Sequence, residues 1–127
     1  MTHLVVDGMN VIGSRPDGWW RDRDGAVRRL VVKLQALALE GADTITVVLD
    51  GRPLPDLPEG VHDQVEVAYA RRKGRDAADD RIVELVSALP STAGVSVITS
   101  DRALAEQVKA LGAQVSGAGS LLRRLDG

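Results

Sequence analysis

Short runs of β-branched residues alternate along this chain with longer stretches of helical spacing, and several of these runs close on an aspartate. Alternation of this kind commits a chain to an α/β fold, because each strand must be covered by the helix that follows it. His3 to Val6 is the first run and ends on Asp7, and Thr44 to Leu49 is the second and ends on Asp50. Gln64 to Tyr69 alternates as a third strand, expected at the sheet edge, while Val95 to Thr99 and Ala113 to Ser116 supply a fourth and a fifth. Between the first two runs, Arg23 to Glu40 carries Val27, Leu30, Val31, Leu34, Leu37 and Ala38 on one stripe and stops at Gly41. Helices are also expected from about Asp76 to Leu89, ended by Pro90, and from Asp101 to Leu111, with a terminal helical turn at Ser120 to Leu125. Gly8 to Asp22 reads as a loop, as does Gly51 to His62, which holds three prolines and two glycines.

Five strands joined by helical crossovers predict a mostly parallel sheet with helices on both faces, in the order 3-2-1-4-5. Strands one and four then flank the switch point, where such sheets open a crevice at their carboxyl ends. At 127 residues the chain suits one domain and excludes two. With Phe absent and aromatics at 2%, aliphatic residues must fill the core. The absence of Cys excludes disulfides, thiolate nucleophiles and zinc fingers. No apolar run is long enough to span a bilayer, and a charge arrives by residue seven, so the expected location is the cytoplasm, away from membranes. A net charge of -2 means that any nucleic-acid binding needs a local basic patch.

Acids collect where the crevice is expected. Asp7, Asp50 and Asp101 follow strands, and Asp76 and Asp79 open the helix after strand three; the chain holds thirteen Asp against five Glu. Carboxylates converging on one crevice repel one another unless cations neutralise them, and hard oxygen donors select Mg²⁺ or Mn²⁺. Asp76 and Asp101 also read as helix caps and Asp50-Gly51 as a turn, but Asp7 ends a central apolar strand, where a charge without a purpose is expensive. Asn10 lies close enough in DGMN to add an amide to the crevice, or else is a turn residue. Ser100 is a helix cap or an additional site hydroxyl, with the cap preferred. Within DAADD, helical phase separates the acids: with Asp76 at zero, Asp79 falls near about 300° and Asp80 near about 40°, against a buried stripe centred on roughly 230°. Asp79 is therefore the expected ligand, Asp76 an additional ligand or a cap at the helix mouth, and Asp80 points to solvent.

A basic run, Arg71, Arg72, Lys73 and Arg75, precedes these acids and is expected at the crevice rim, where it would meet phosphates. Arg15, Arg21, Arg23 and Arg52 lie on other rim segments. Of Trp19 and Trp20, one can cover the core while the other stacks a base, or both can cover the core. No Walker A loop, G-x-S-x-G elbow or G-x-G-x-x-G turn is present, and His3 and His62 lack metal-ligand companions.

The segments LVVDGMNVIG (4–13), VVLDG (47–51), KGRDAADDRIVE (73–84) and VITSDRAL (97–104) together resemble the PIN-like nuclease superfamily, in particular its NYN and YacP-like branch. The resemblance covers nearly the whole chain in order. It implies a single PIN-like domain over residues 1–127 and a metal-dependent ribonuclease. Asp7, Asp79 and Asp101 would take the metal-binding positions, with Asn10 as the neighbouring polar catalytic residue. No acid follows Asp101 until Glu106, so the pattern does not set the number of metals.

The expectation is a Mg²⁺- or Mn²⁺-dependent endoribonuclease with RNA as its partner, Arg15 and the 71–75 run contributing to RNA binding. A non-catalytic RNA-binding module of the same fold and a metal-dependent phosphatase of small molecules are the alternatives. A homodimer is compatible with the sequence and not specified by it.

Overall fold

The computed structural model describes residues 2–41, 43–74 and 76–126. A six-stranded sheet is built from β1 (Thr2–Asp7), β2 (Asp43–Leu49), β3 (Gly60–His62), β4 (Val65–Tyr69), β5 (Val95–Ile98) and β6 (Gln114–Ser116). The strand order is β3-β4-β2-β1-β5-β6, and every pairing is parallel except that of β3 with β4. The five expected strands thus take the expected order, with β3 added as an antiparallel edge.

Around the sheet lie α1 (Gly8–Gly13), α2 (Arg23–Leu39), α3 (Ala77–Ala88), α4 (Arg102–Ala110) and α5 (Ala118–Asp126). Side chains alternate across the sheet, so each strand feeds two cores. Leu4 and Val6 of β1 join Ile45, Val47 and Leu49 of β2 against Leu30, Val31 and Leu34 of α2 and Leu121 of α5. Val5 and Val48 face the other way, with Val95 and Val97, and meet Ile82 and Val86 of α3 and Leu104 and Val108 of α4. None of the helices among the described residues is long and apolar enough to cross a membrane.

Two sequence expectations are corrected here. The strand at Val65–Tyr69 is not an edge, because β3 pairs with it as Gly60↔Val67, Val61↔Glu66 and His62↔Val65. The hairpin turn consists of Asp63 and Gln64, both with positive φ (47° and 73°), the signs a tight primed turn requires. Asp-Gln lacks the Asn-Gly or Asp-Gly signature of such turns, which hid the hairpin. The second correction is α1: residues 8–13 are helical, not loop. A Cβ on Gly8 would stand 2.7 Å from Leu49 Cδ2 and 2.9 Å from the Val48 carbonyl oxygen. Glycine therefore lets the chain turn into a helix directly against β2, one residue after Asp7.

Candidate active site

Asp7 is the last residue of β1, between β2 and β5 at the centre of the sheet, and is only 5% exposed. Its Oδ2 accepts a 2.8 Å hydrogen bond from Thr99 Oγ1, and the same hydroxyl accepts the Asp101 backbone N–H at 3.1 Å. Thr99, just beyond β5, thus ties two strand-end acids together. Burial is the main cause that pushes the Asp7 carboxyl above its ordinary range; the Thr99 bond opposes this, and the charges of Asp101 and Asp50 add to it.

Asp7, Asn10, Asp50, Asp76, Asp79 and Asp101 line one open cleft, whose walls also include Met9 and Gly74. Asp79, in the first turn of α3, is half-buried, and its carboxyl is raised to about 6. Burial is the first cause, followed by the charges of Asp7, Asp101, Asp76 and Asp80. Asp80 lies outside this cleft, exposed and paired with Arg72 at 2.6 Å, as the helical phase requires. Asp76 precedes α3 in a left-handed conformation (φ 61°) and makes no capping hydrogen bond, so the capping role expected as an alternative is not taken up. Asp101 does cap α4, its Oδ1 accepting the Leu104 N–H at 3.1 Å while the residue lines the cleft.

Ser100 is corrected in its turn. It does not cap the helix that follows; its Oγ accepts the Ala118 N–H at the start of α5, and its own N–H donates to Asn10 Oδ1 at 2.9 Å. Asn10 therefore lies on α1, not on a loop, and fastens that helix to the β5–α4 junction. Asp50 differs electrostatically from the other acids. Its carboxylate pairs with Arg23, whose guanidinium also donates to the Asp50 carbonyl at 3.1 Å and reaches Met9 Sδ at 3.6 Å. The sequence offers no reading of Thr99 as a site residue, and it places Arg23 on a rim segment without its pairing to Asp50. A buried hydroxyl directly before Ser100-Asp101 was the only available signal for the first.

The basic run is partly spent within the molecule. Arg71 Nε pairs with Glu84 at 2.8 Å and Arg72 with Asp80, while the buried Arg81 pairs with Glu84 at 2.7 Å. Lys73 is exposed beside Gly74 of the cleft wall, and Arg75 lies outside the described residues. Arg15 is not brought to the cleft. It pairs with Asp126 of α5 and lines a separate groove between α1, α2 and α5. Trp19 packs on the larger core and Trp20 is exposed.

The charged donors in the cleft are carboxylate oxygens, the hard type that suits Mg²⁺ or Mn²⁺. Among the described residues, no three or more histidine, cysteine, aspartate or glutamate side chains form a group that could hold a metal ion.

A doubly wound α/β domain with acids gathered at the carboxyl ends around its switch point defines the class. The chain belongs to the YacP-like NYN domain family, whose model matches residues 4–127, a family that is nuclease-like and related to RNA in broad terms. The structure is similar to that of Rae1 (YacP) from Bacillus subtilis, at 29% identity and a TM-score of 0.77, over 99% of this chain and 74% of that one. A single-substitution variant of Rae1 aligns at 28% identity and a TM-score of 0.79, covering 99% and 76%. No curated protein matches the sequence significantly.

Proposed function

We propose that this protein is a Mg²⁺- or Mn²⁺-dependent endoribonuclease acting at the cleft between β1 and β5. The observation that carries the reading is the convergence of Asp7, Asp101 and the α3 pair Asp76 and Asp79, from three separate segments, on one cleft, with the Asp79 carboxyl raised to about 6 by burial and its neighbours. Repulsion of that kind is tolerated where a cation is expected to relieve it. When bound, a divalent ion supplies charge neutralisation and activates water for in-line attack on a phosphodiester.

Asp7, Asp79 and Asp101 are the ligands this reading selects, with Asp76 as an additional one at the helix mouth. Asp7 is oriented by Thr99, whose hydroxyl donates to its Oδ2. Asn10 holds α1 against the β5–α4 junction and so keeps Asp7 and Asp101 in register. Asp50, already satisfied by Arg23, shapes the wall and adds little to ligation. No protein nucleophile is required.

The test is cleavage of a labelled single-stranded RNA in Mn²⁺, with and without chelator, by the parent chain and by Asp7→Asn. Cleavage should need the ion and fall by several orders of magnitude in the variant, which should be folded and at least as stable as the parent. Cleavage that survives in Asp7→Asn, or that ignores chelation, overturns the reading.

A further inference from the structure

Trp20, 59% exposed, sits in the 3₁₀ turn Trp19–Arg21 that leads into α2. That turn is firmly built. Gly18 takes the left-handed conformation (φ 77°) that starts it, the Arg21 and Asp22 N–H groups donate to the Gly18 and Trp19 carbonyls at 3.0 and 3.1 Å, and Trp19 is anchored on the core. Trp19 and Trp20 meet nearly at right angles (86°, centroids 6.1 Å apart), so the exposed ring is braced by the buried one. An exposed Trp buries little for the fold; a braced one is a preformed surface with a low ordering cost on binding.

Its neighbours carry the matching charge. Arg21 lies 6.0 Å from the Trp20 centroid, at the outer limit of a cation–π contact, so its guanidinium is only lightly held. Arg21 and Arg52 have no acidic partner among the described residues, unlike Arg71 and Arg72, which pair with Glu84 and Asp80 of α3. The group is continuous with the cleft. Arg23, three residues beyond Trp20, touches Met9 and Asp50 of the cleft wall, and a Cβ on Gly51, next to Arg52, would stand 3.1 Å from the Arg23 guanidinium. Three residues of chain span at most about 10 Å, which bounds the distance between the Trp20 and Arg23 backbones.

We infer that Trp20 is a stacking platform for an unpaired RNA base, with Arg21 and Arg52 meeting the adjoining phosphates, so that a single strand enters the cleft from the α2 side. A paired base cannot offer its face to a side chain at a rim, whereas an unpaired base of any identity can, so the substrate class is single-stranded RNA without strong sequence preference. The inference rests on the ribonuclease reading only for what the strand meets next, and its test is therefore binding without metal.

With the metal chelated, intrinsic fluorescence and the anisotropy of a labelled, unstructured RNA are followed for the full chain, for Trp20→Ala and for Trp20→Phe, alongside a duplex of the same sequence. The single strand should quench the parent's fluorescence and the duplex should not. Trp20→Ala should weaken binding roughly ten-fold or more, with the salt slope unchanged because no charge is removed, and Trp20→Phe should recover part of the loss. Equal quenching by the duplex, or unchanged affinity in Trp20→Ala, overturns the platform. Failure of metal-dependent cleavage with the quenching intact overturns the nuclease reading and leaves the platform standing.

Discussion

Asp79 shows how one side chain records the character of the whole cleft. Its folded-state carboxyl is raised from 3.8 to about 6, first by burial and then by four neighbouring aspartates. Between those two values the folded chain holds a proton that the unfolded chain has released. Stability therefore falls as pH rises through this window; the deficit is complete above about 6 and absent below about 3.8. Asp79→Asn, which cannot ionise, should be more stable than the parent near neutral pH, and the advantage should vanish at acid pH. Because Asp79 is only half-buried and solvent screens its neighbours, the gain is expected to be about 1 kcal/mol or less. Urea unfolding at both pH values checks it, and a gain that persists in acid would assign the effect to packing instead. The same residue shows what the sequence made legible. Helical phase alone separates Asp79, which lines the cleft, from Asp80, which turns outward to Arg72. Thr99 bridging Asp7 and Asp101, and Arg23 neutralising Asp50, could not be read in this way. Both are contacts between distant segments set by fractions of an ångström, which no local pattern encodes.

Among the elements, periodicity carried the five expected strands and the helices α2, α3 and α4, because an element that buries a face must repeat to do so. The elements it missed are those specified by one or two residues. β3 depends on Asp63 and Gln64 accepting positive φ, and α1 depends on the absence of a side chain at Gly8. The second case makes a direct prediction. In Gly8→Ala the new methyl meets Leu49 Cδ2 at 2.7 Å and Val47 Cγ2 at 3.2 Å, which can yield, but also the Val48 carbonyl oxygen at 2.9 Å, which is fixed in the sheet. α1 must lift away from β2, at an expected stability loss of about 1–3 kcal/mol. Lifting α1 moves Asn10 from the Ser100 N–H, so activity at the cleft should drop further than stability alone explains. Denaturant unfolding and cleavage measured on the same preparation separate the two effects. Full cleavage by a destabilised Gly8→Ala would show that α1 does not hold the site in register.

At the scale of the molecule the difficulty for the proposed function is electrostatic, because it asks a chain of net charge -2 with aspartates gathered in its cleft to attract a polyanion. Its cations form two unequal rims. On the α3 side, Arg71 and Arg72 are engaged by Glu84 and Asp80, so either one reaches a phosphate only by giving up a carboxylate. Exchanging one anion for another gains little, and the carboxylate left behind repels the strand. On the α2 side, Arg21 and Arg52 give up no ion pair among the described residues. Each phosphate contact on a single strand adds about 0.7 to the slope of log affinity against log salt, so the two rims can be weighed independently. Removing both cations in Arg21→Gln/Arg52→Gln should flatten the slope by an amount approaching two contacts. Arg71→Gln/Arg72→Gln should change it by less than one, even though both variants lose the same charge. Anisotropy of labelled single-stranded RNA across a salt series, with metal chelated, reads both slopes directly. If the 71/72 variant proved the flatter of the two, the strand would enter along α3, and the ion pairs to Glu84 and Asp80 would be a latch that RNA opens.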